Sequence, residues 1–125
     1  MKKLLVTTVV LEAPTGLGML AFPSVVATLI LGSSLDTGVA LVVAFVAGVA
    51  ILALATACWL ARQDEQSRAT RGLVSAMVLY NAGIIATLLY GVLQPGVSGI
   101  ALWPTALVHA AMCAWCVTSL LAKRA

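Results

Sequence analysis

Apolar residues run along this chain in long blocks, and polar residues collect in the short gaps between them. Residues 4–35 carry a single charge, Glu12, while residues 37–61 and 72–122 carry none. A helix needs about 20 apolar residues to cross the hydrocarbon core of a bilayer. The 37–61 block fits one crossing. The 72–122 block fits two, with Gln94-Pro95-Gly96-Val97-Ser98-Gly99 as the turn between them. The pattern therefore predicts an all-α integral membrane fold: a four-transmembrane-helix bundle, one domain over 1–125, with spans at 4–22, 37–61, 72–93 and 101–122.

Breaker residues modify the first span. Pro14 lacks an amide hydrogen and crowds the turn before it, which predicts a kink near Val10 and Leu11. Backbone groups freed inside hydrocarbon need protein around them, so the kink is expected to face other helices. Residues 4–22 alone would cover roughly 28 Å. Pro23 then suits the first turn of a short outer interfacial helix over 23–31, ended by Gly32-Ser33-Ser34. One long kinked helix through Leu31 is the alternative. Asp36 stands where an N-cap for the 37–61 helix belongs. Small residues recur every four positions at Ala40, Ala44 and Gly48, and again at Gly83, Thr87 and Gly91. Such stripes let membrane helices pack closely. Trp59, Tyr90 and Trp103 lie near span ends, where aromatic anchors belong, and Pro104 fits a first helical turn. The 62–71 segment reads as a solvated cytoplasmic loop in which Asp64 and Arg68 pair if the helix runs on into water.

Composition agrees with this reading. The chain is 62% hydrophobic and 9% charged, against about 25% charged residues in a typical soluble domain. Its net charge of +3 raises the question of nucleic acid. The positions of the charges exclude it: Lys2, Lys3, Arg62, Arg68, Arg71, Lys123 and Arg124 sit at the two ends and in one loop, with no basic patch interleaved with aromatics. The 32–37 and 94–103 loops carry no Lys or Arg. By the positive-inside rule, both termini and the middle loop then face the cytoplasm, in a bacterial inner membrane. The partner so implied is the lipid bilayer, with a homo-oligomer or a larger membrane complex as a further possibility. The start of the chain is expected to stay as the first helix rather than act as a cleaved signal, because Glu12 interrupts its apolar run and Met19-Leu20-Ala21 is a poor cleavage site.

Candidate chemistry lies inside the spans. Counting ~1.5 Å per residue from the nearest basic residue puts Glu12 and Asn81 at a common level near mid-membrane, with His109 about one turn beyond. A carboxylate at that depth costs several kcal/mol unless it is protonated or partnered. Glu12, Tyr80, Asn81 and His109 are therefore the candidate proton- or ligand-binding cluster, with Asn81 and His109 as the expected partners of the acid. The alternative is a hydrogen-bonded knot that holds helix register. Thr105, His109, Met112, Cys113 and Cys116 share a helix face expected to turn inward. One histidine offers no paired haem ligands within the chain, and Cys113, Cys116, His109 and Glu12 match no usual zinc spacing. No cofactor and no metal are expected.

Two resemblances bear on function. Cys113-Ala-Trp-Cys116 resembles the redox pair of four-helix membrane oxidoreductases of the vitamin K epoxide reductase and DsbB types, which couple disulfides to quinone. It covers that tetrapeptide only, and no partner pair lies in an outer loop. Free cysteine is otherwise commonly a small buried hydrophobe. The length, four spans and mid-span acid resemble the small multidrug resistance exporters, where a membrane-embedded Glu of helix 1 exchanges protons for a cationic substrate within a dimer. The stretch Glu12-Ala13-Pro14-Thr15-Gly16-Leu17-Gly18-Met19 carries that resemblance and would imply a proton-coupled transporter using Glu12. Pro14, the absence of the motif's following Lys, a 72–93 span without Trp and a strongly one-sided charge bias all depart from the pattern. The leading expectation is a non-enzymatic membrane component or accessory subunit with a buried polar cluster.

Overall fold

A computed structural model describes residues 1–64 and 67–122. The described residues form five helices: α1 (Lys2–Ala21), α2 (Pro23–Leu31), α3 (Gly38–Ala61), α4 (Arg68–Val92) and α5 (Leu102–Leu121). Four of them, α1, α3, α4 and α5, are long and apolar enough to cross a membrane. Lys123 and Arg124, which contribute to the charge bias, lie outside the described residues.

Helix boundaries follow local chemistry. Phe22 leaves helical geometry (φ −141°, ψ 56°), and Pro23 opens α2 just beyond it. Residues 4–31 are thus two helices, not one. α2 ends at Gly32, whose φ of 83° is a left-handed value that glycine adopts without strain. The N-cap of α3 is Thr37, whose hydroxyl accepts from the Ala40 amide, and not Asp36. Asp36 instead accepts from the Ser34 hydroxyl at 2.6 Å. α4 begins four residues before the expected Gly72, because Ser67 caps it by accepting from the Thr70 amide at 3.1 Å. Charged Arg68 and Arg71 are consequently helical, while Asp64 lies outside the helix and does not share a face with Arg68.

α1 continues through Pro14. Val10 and Pro14 are both exposed, so the face that loses a hydrogen bond points away from the other helices, contrary to expectation. The buried stripe of α1 is Leu4, Thr8, Glu12 and Gly16, at four-residue steps. It packs along α3, and the tightest approach is at Gly16 and Gly48. A Cβ on Gly48 would come within 3.0 Å of Gly16 O, and one on Gly16 within 2.7 Å of Leu52 Cγ. Ala44 and Gly48 are buried in this contact and Ala40 is half-buried. The second stripe behaves differently: Gly83 and Thr87 are exposed, and a Cβ on Gly83 would meet nothing. Gly91 meets only Val97, at ordinary contact distance. Among the described residues, the Gly83 and Thr87 part of that stripe packs on no other helix.

α4 packs along α5, so the molecule consists of two helix pairs. They join in an apolar core of Leu4, Leu5, Cys58, Val74, Met77, Met112 and Cys116, with every long helix represented. These residues come from the start of α1, the end of α3, the start of α4 and the end of α5, so the core lies at the end where α1 begins and α5 finishes. At the opposite end the α4–α5 connection clasps α2. Ser98 N–H donates to Leu31 O and Ala101 N–H to Leu29 O, which satisfies carbonyls that the last turn of α2 would leave orphaned. This needs Gly99, since a Cβ there would strike the backbone of Ile30 and sit 2.5 Å from Leu29 O.

Gly99→Ala is expected to destabilise the protein by about 1–3 kcal/mol, the usual range for forced overpacking. Gly83→Ala should instead stabilise it by up to about 1 kcal/mol through helix propensity, because its Cβ meets open space. Thermal melts of both variants in one detergent test the contrast, and a shift of the same sign in both would contradict it.

Candidate functional site

All four candidate polar residues meet in one layer just above the apolar core. Glu12 comes from the buried stripe of α1 and is 7% exposed. Tyr80 and Asn81 are consecutive on α4, so their side chains leave the helix about 100° apart. Tyr80 turns toward α1 and its hydroxyl donates to Glu12 Oε2 at 2.9 Å. Asn81, 3% exposed, turns toward α5, where its Oδ1 lies 2.8 Å from His109 Nδ1. The partner of the acid is thus Tyr80, not Asn81 or His109. A phenol carries its hydroxyl further from the helix axis than a carboxamide does, so it spans the gap between the two helix pairs. The Tyr80 and His109 rings meet edge to face, with centroids 5.7 Å apart at 73°.

The hydrogen bonds settle atom roles. Asn81 Nδ2 donates to Met77 O at 2.7 Å. A carbonyl only accepts, so the amide orientation follows, and Oδ1 is the atom presented to His109. His109 must then donate from Nδ1, which leaves Nε2 as the nitrogen that takes up or releases a proton. The layer is two hydrogen-bonded pairs, Glu12–Tyr80 and Asn81–His109, joined by adjacency on α4 and by the ring contact. Among the described residues no buried side-chain nitrogen or oxygen lacks a partner. Two shallow surface grooves, one along Ser75, Val78, Val117, Leu120 and Leu121 and one along Ser24, Val25, Thr28 and Leu29, include none of the four residues.

The inward face of α5 is Leu102, Ala106, Met112 and Cys116, with Thr105, His109 and Cys113 half-buried beside it. All three cysteines are free thiols. Cys58 and Cys116 belong to the core, and Cys58 Sγ lies 3.6 Å from Met77 Sδ. Cys113 Sγ points at Val78 O, 3.8 Å away. Among the described residues no three His, Cys, Asp or Glu side chains are placed to hold a metal ion. Sequence reasoning passed over Thr8 and Gly16, which complete the stripe carrying Glu12. The step of four through Leu4, Thr8, Glu12 and Gly16 was the available signal.

The chain matches no protein-family model, no curated protein and no solved structure.

Removing the donor and removing the acceptor should differ in cost. Tyr80→Phe leaves a buried carboxyl without its hydroxyl partner and is expected to cost about 1–3 kcal/mol. Glu12→Gln keeps an oxygen that accepts from Tyr80 and should cost less. In the double variant Glu12→Leu/Tyr80→Phe both polar partners are gone, so it should be more stable than Tyr80→Phe alone. Chemical or thermal denaturation in micelles gives the order, and a double variant as unstable as the sum of its parts would refute it.

Proposed function

We propose that the protein is a multi-pass membrane component of non-enzymatic character, in which the Glu12–Tyr80 and Asn81–His109 pairs fasten helices together across the bundle. The observation that carries this reading is the pairing within the polar layer: Tyr80 bonds Glu12, Asn81 bonds His109, and neither surface groove is lined by any of the four. A layer built to receive a ligand needs polar groups aimed at space, whereas a clasp needs them aimed at one another. Buried polar contacts between apolar helices specify register, because a slip of one residue would strand each partner.

On this reading α1, α3, α4 and α5 cross a bacterial inner membrane with the core end toward the cytoplasm. Supporting this is the placement of Lys2, Lys3, Arg62, Arg68 and Arg71 at that end and the absence of Lys and Arg from the loops at the other. α2 then lies at the outer boundary, held by the α4–α5 connection. The exposed Gly83 and Thr87 face is open to a second copy or to another subunit.

A second reading, a proton-coupled small transporter, is favoured by one observation: an acid midway along α1 bonds a hydroxyl whose ring touches the single histidine. The thiol–quinone reading finds less support. Thiol exchange needs an accessible sulfur, and Cys116 is fully buried in the apolar core.

Glu12→Ala distinguishes the clasp from the transporter. As a clasp, Glu12 is needed for stability, and its loss should lower the melting temperature while Glu12→Gln largely preserves it. As a transporter residue, Glu12→Gln would fold normally and abolish substrate-dependent proton movement in liposomes. Placement is tested separately: a membrane-impermeant maleimide should label Ser34→Cys in intact cells, and Gln63→Cys only after permeabilisation. Labelling of Gln63→Cys in intact cells would reverse the orientation.

A further inference from the structure

One of the grooves lies on the outer surface between α4 and α5, close to the core end. Ser75 and Val78 of α4 and Val117, Leu120 and Leu121 of α5 line a trough of about 270 Å³. The lining is almost wholly apolar, and the Ser75 hydroxyl is turned back onto Arg71 O at 2.9 Å. Arg71, Ser75 and Val78 follow one another at steps of four and three, so they run along a single face of α4. Arg71 is half-buried, and its Nη2 donates to Leu120 O at 3.3 Å, the same Leu120 that lines the trough. A guanidinium therefore stands at the end of the trough nearest the last turn of α5. Arg68, exposed and three residues earlier, adds a second positive charge on that face.

A guanidinium offers five N–H donors in a planar fork suited to phosphate oxygens. We propose that this groove binds an anionic glycerophospholipid, with its phosphate on Arg71 and the upper part of one acyl chain along Ser75, Val78, Val117 and Leu120. Charge complementarity selects this occupant. Basic side chains at the cytoplasmic boundary attract anionic headgroups, and basic pockets between membrane helices hold them. A zwitterionic lipid would bring an ammonium group beside two arginines. A second copy related by a two-fold axis along the membrane normal would set two Arg71 guanidinium groups at the same level and so concentrate like charge there.

The inference rests on the membrane placement proposed above. Absence of the protein from the membrane fraction would remove that placement, whereas the lipid experiment reads the groove alone. The purified full-length protein in uncharged detergent is titrated with phosphatidylglycerol or phosphatidylcholine of identical acyl chains, and the melting temperature is followed. Phosphatidylglycerol should raise it saturably and phosphatidylcholine should not. Arg71→Gln should raise the half-saturating lipid on the order of fivefold, the size expected for one basic side chain at an anionic headgroup. Lys3→Gln removes the same charge at the same end of the molecule but on α1, and should leave the titration unchanged. If Arg71→Gln weakens the lipid-free fold by losing Leu120, the lipid-induced increment still reads binding. Val117→Trp, which fills the trough and keeps Arg71, should abolish that increment. Equal responses to the two lipids, an equal effect of Lys3→Gln, or full stabilisation by inorganic phosphate alone would each overturn the proposal.

Discussion

A chain with so few charged residues must satisfy its polar groups from within, and most of this structure follows from that demand. An unpaired buried amide, carbonyl or hydroxyl costs on the order of 1–3 kcal/mol, and more in hydrocarbon. The helix-interior threonines show the simplest answer. Thr8, Thr15, Thr28, Thr56 and Thr87 each turn the hydroxyl back onto the carbonyl four residues earlier. Helix ends show a costlier one, in which distant parts of the chain are recruited. The α4–α5 connection supplies amides to the last carbonyls of α2, and Arg71 reaches from α4 to Leu120 O near the end of α5. Arg62 bonds Trp59 O at the end of α3, and its guanidinium lies 3.5 Å over the Trp59 ring.

These requirements divide the molecule into three levels along its length. The level where α1 begins and α5 finishes is an apolar core contributed by all four long helices. The middle level is the polar layer of Glu12, Tyr80, Asn81 and His109. The far level is α2 with the 98–101 connection over it. Each level joins the helix pairs by a different means: dispersion and apolar contact, side-chain hydrogen bonds, then backbone hydrogen bonds. Within the α1–α3 pair, bare backbone contact at Gly16 and Gly48 lets the helices approach closely enough for Glu12 to stay covered.

Much of the candidate site was legible in the sequence. Glu12, Tyr80, Asn81 and His109 stand out because each interrupts an apolar run, and burial of an isolated polar group demands a partner. Their pairing was not legible. Depth along an axis ranks residues by level, but the choice of partner depends on rotation about the axis and on side-chain length. Tyr80 reached Glu12 where Asn81 at nearly the same level did not. The same limit explains the stripes. Ala44/Gly48 and Gly83/Thr87 have the same spacing, yet the first is buried and the second exposed. Spacing shows that a face exists and says nothing of what covers it. The start of α4 was hidden because Arg68 and Arg71 suggest loop where Ser67 caps a helix, and the cap of α3 falls to Thr37 because its hydroxyl, not the Asp36 carboxylate, reaches the Ala40 amide.

The charge-poor blocks and the turn residues between them were enough to determine four helices long and apolar enough to cross a membrane, because that depends only on local composition and on the rise of a helix. They also marked Glu12, Tyr80, Asn81 and His109 as the polar side chains that interrupt the apolar spans near mid-length. Tertiary structure alone decided which residues pair in this layer, that α2 is held by backbone hydrogen bonds from the α4–α5 connection, and that Arg71 stands at the end of an apolar groove. Those outcomes depend on distances between residues far apart in the chain, and an apolar run, identical in character on every face, carries no record of which face meets which neighbour.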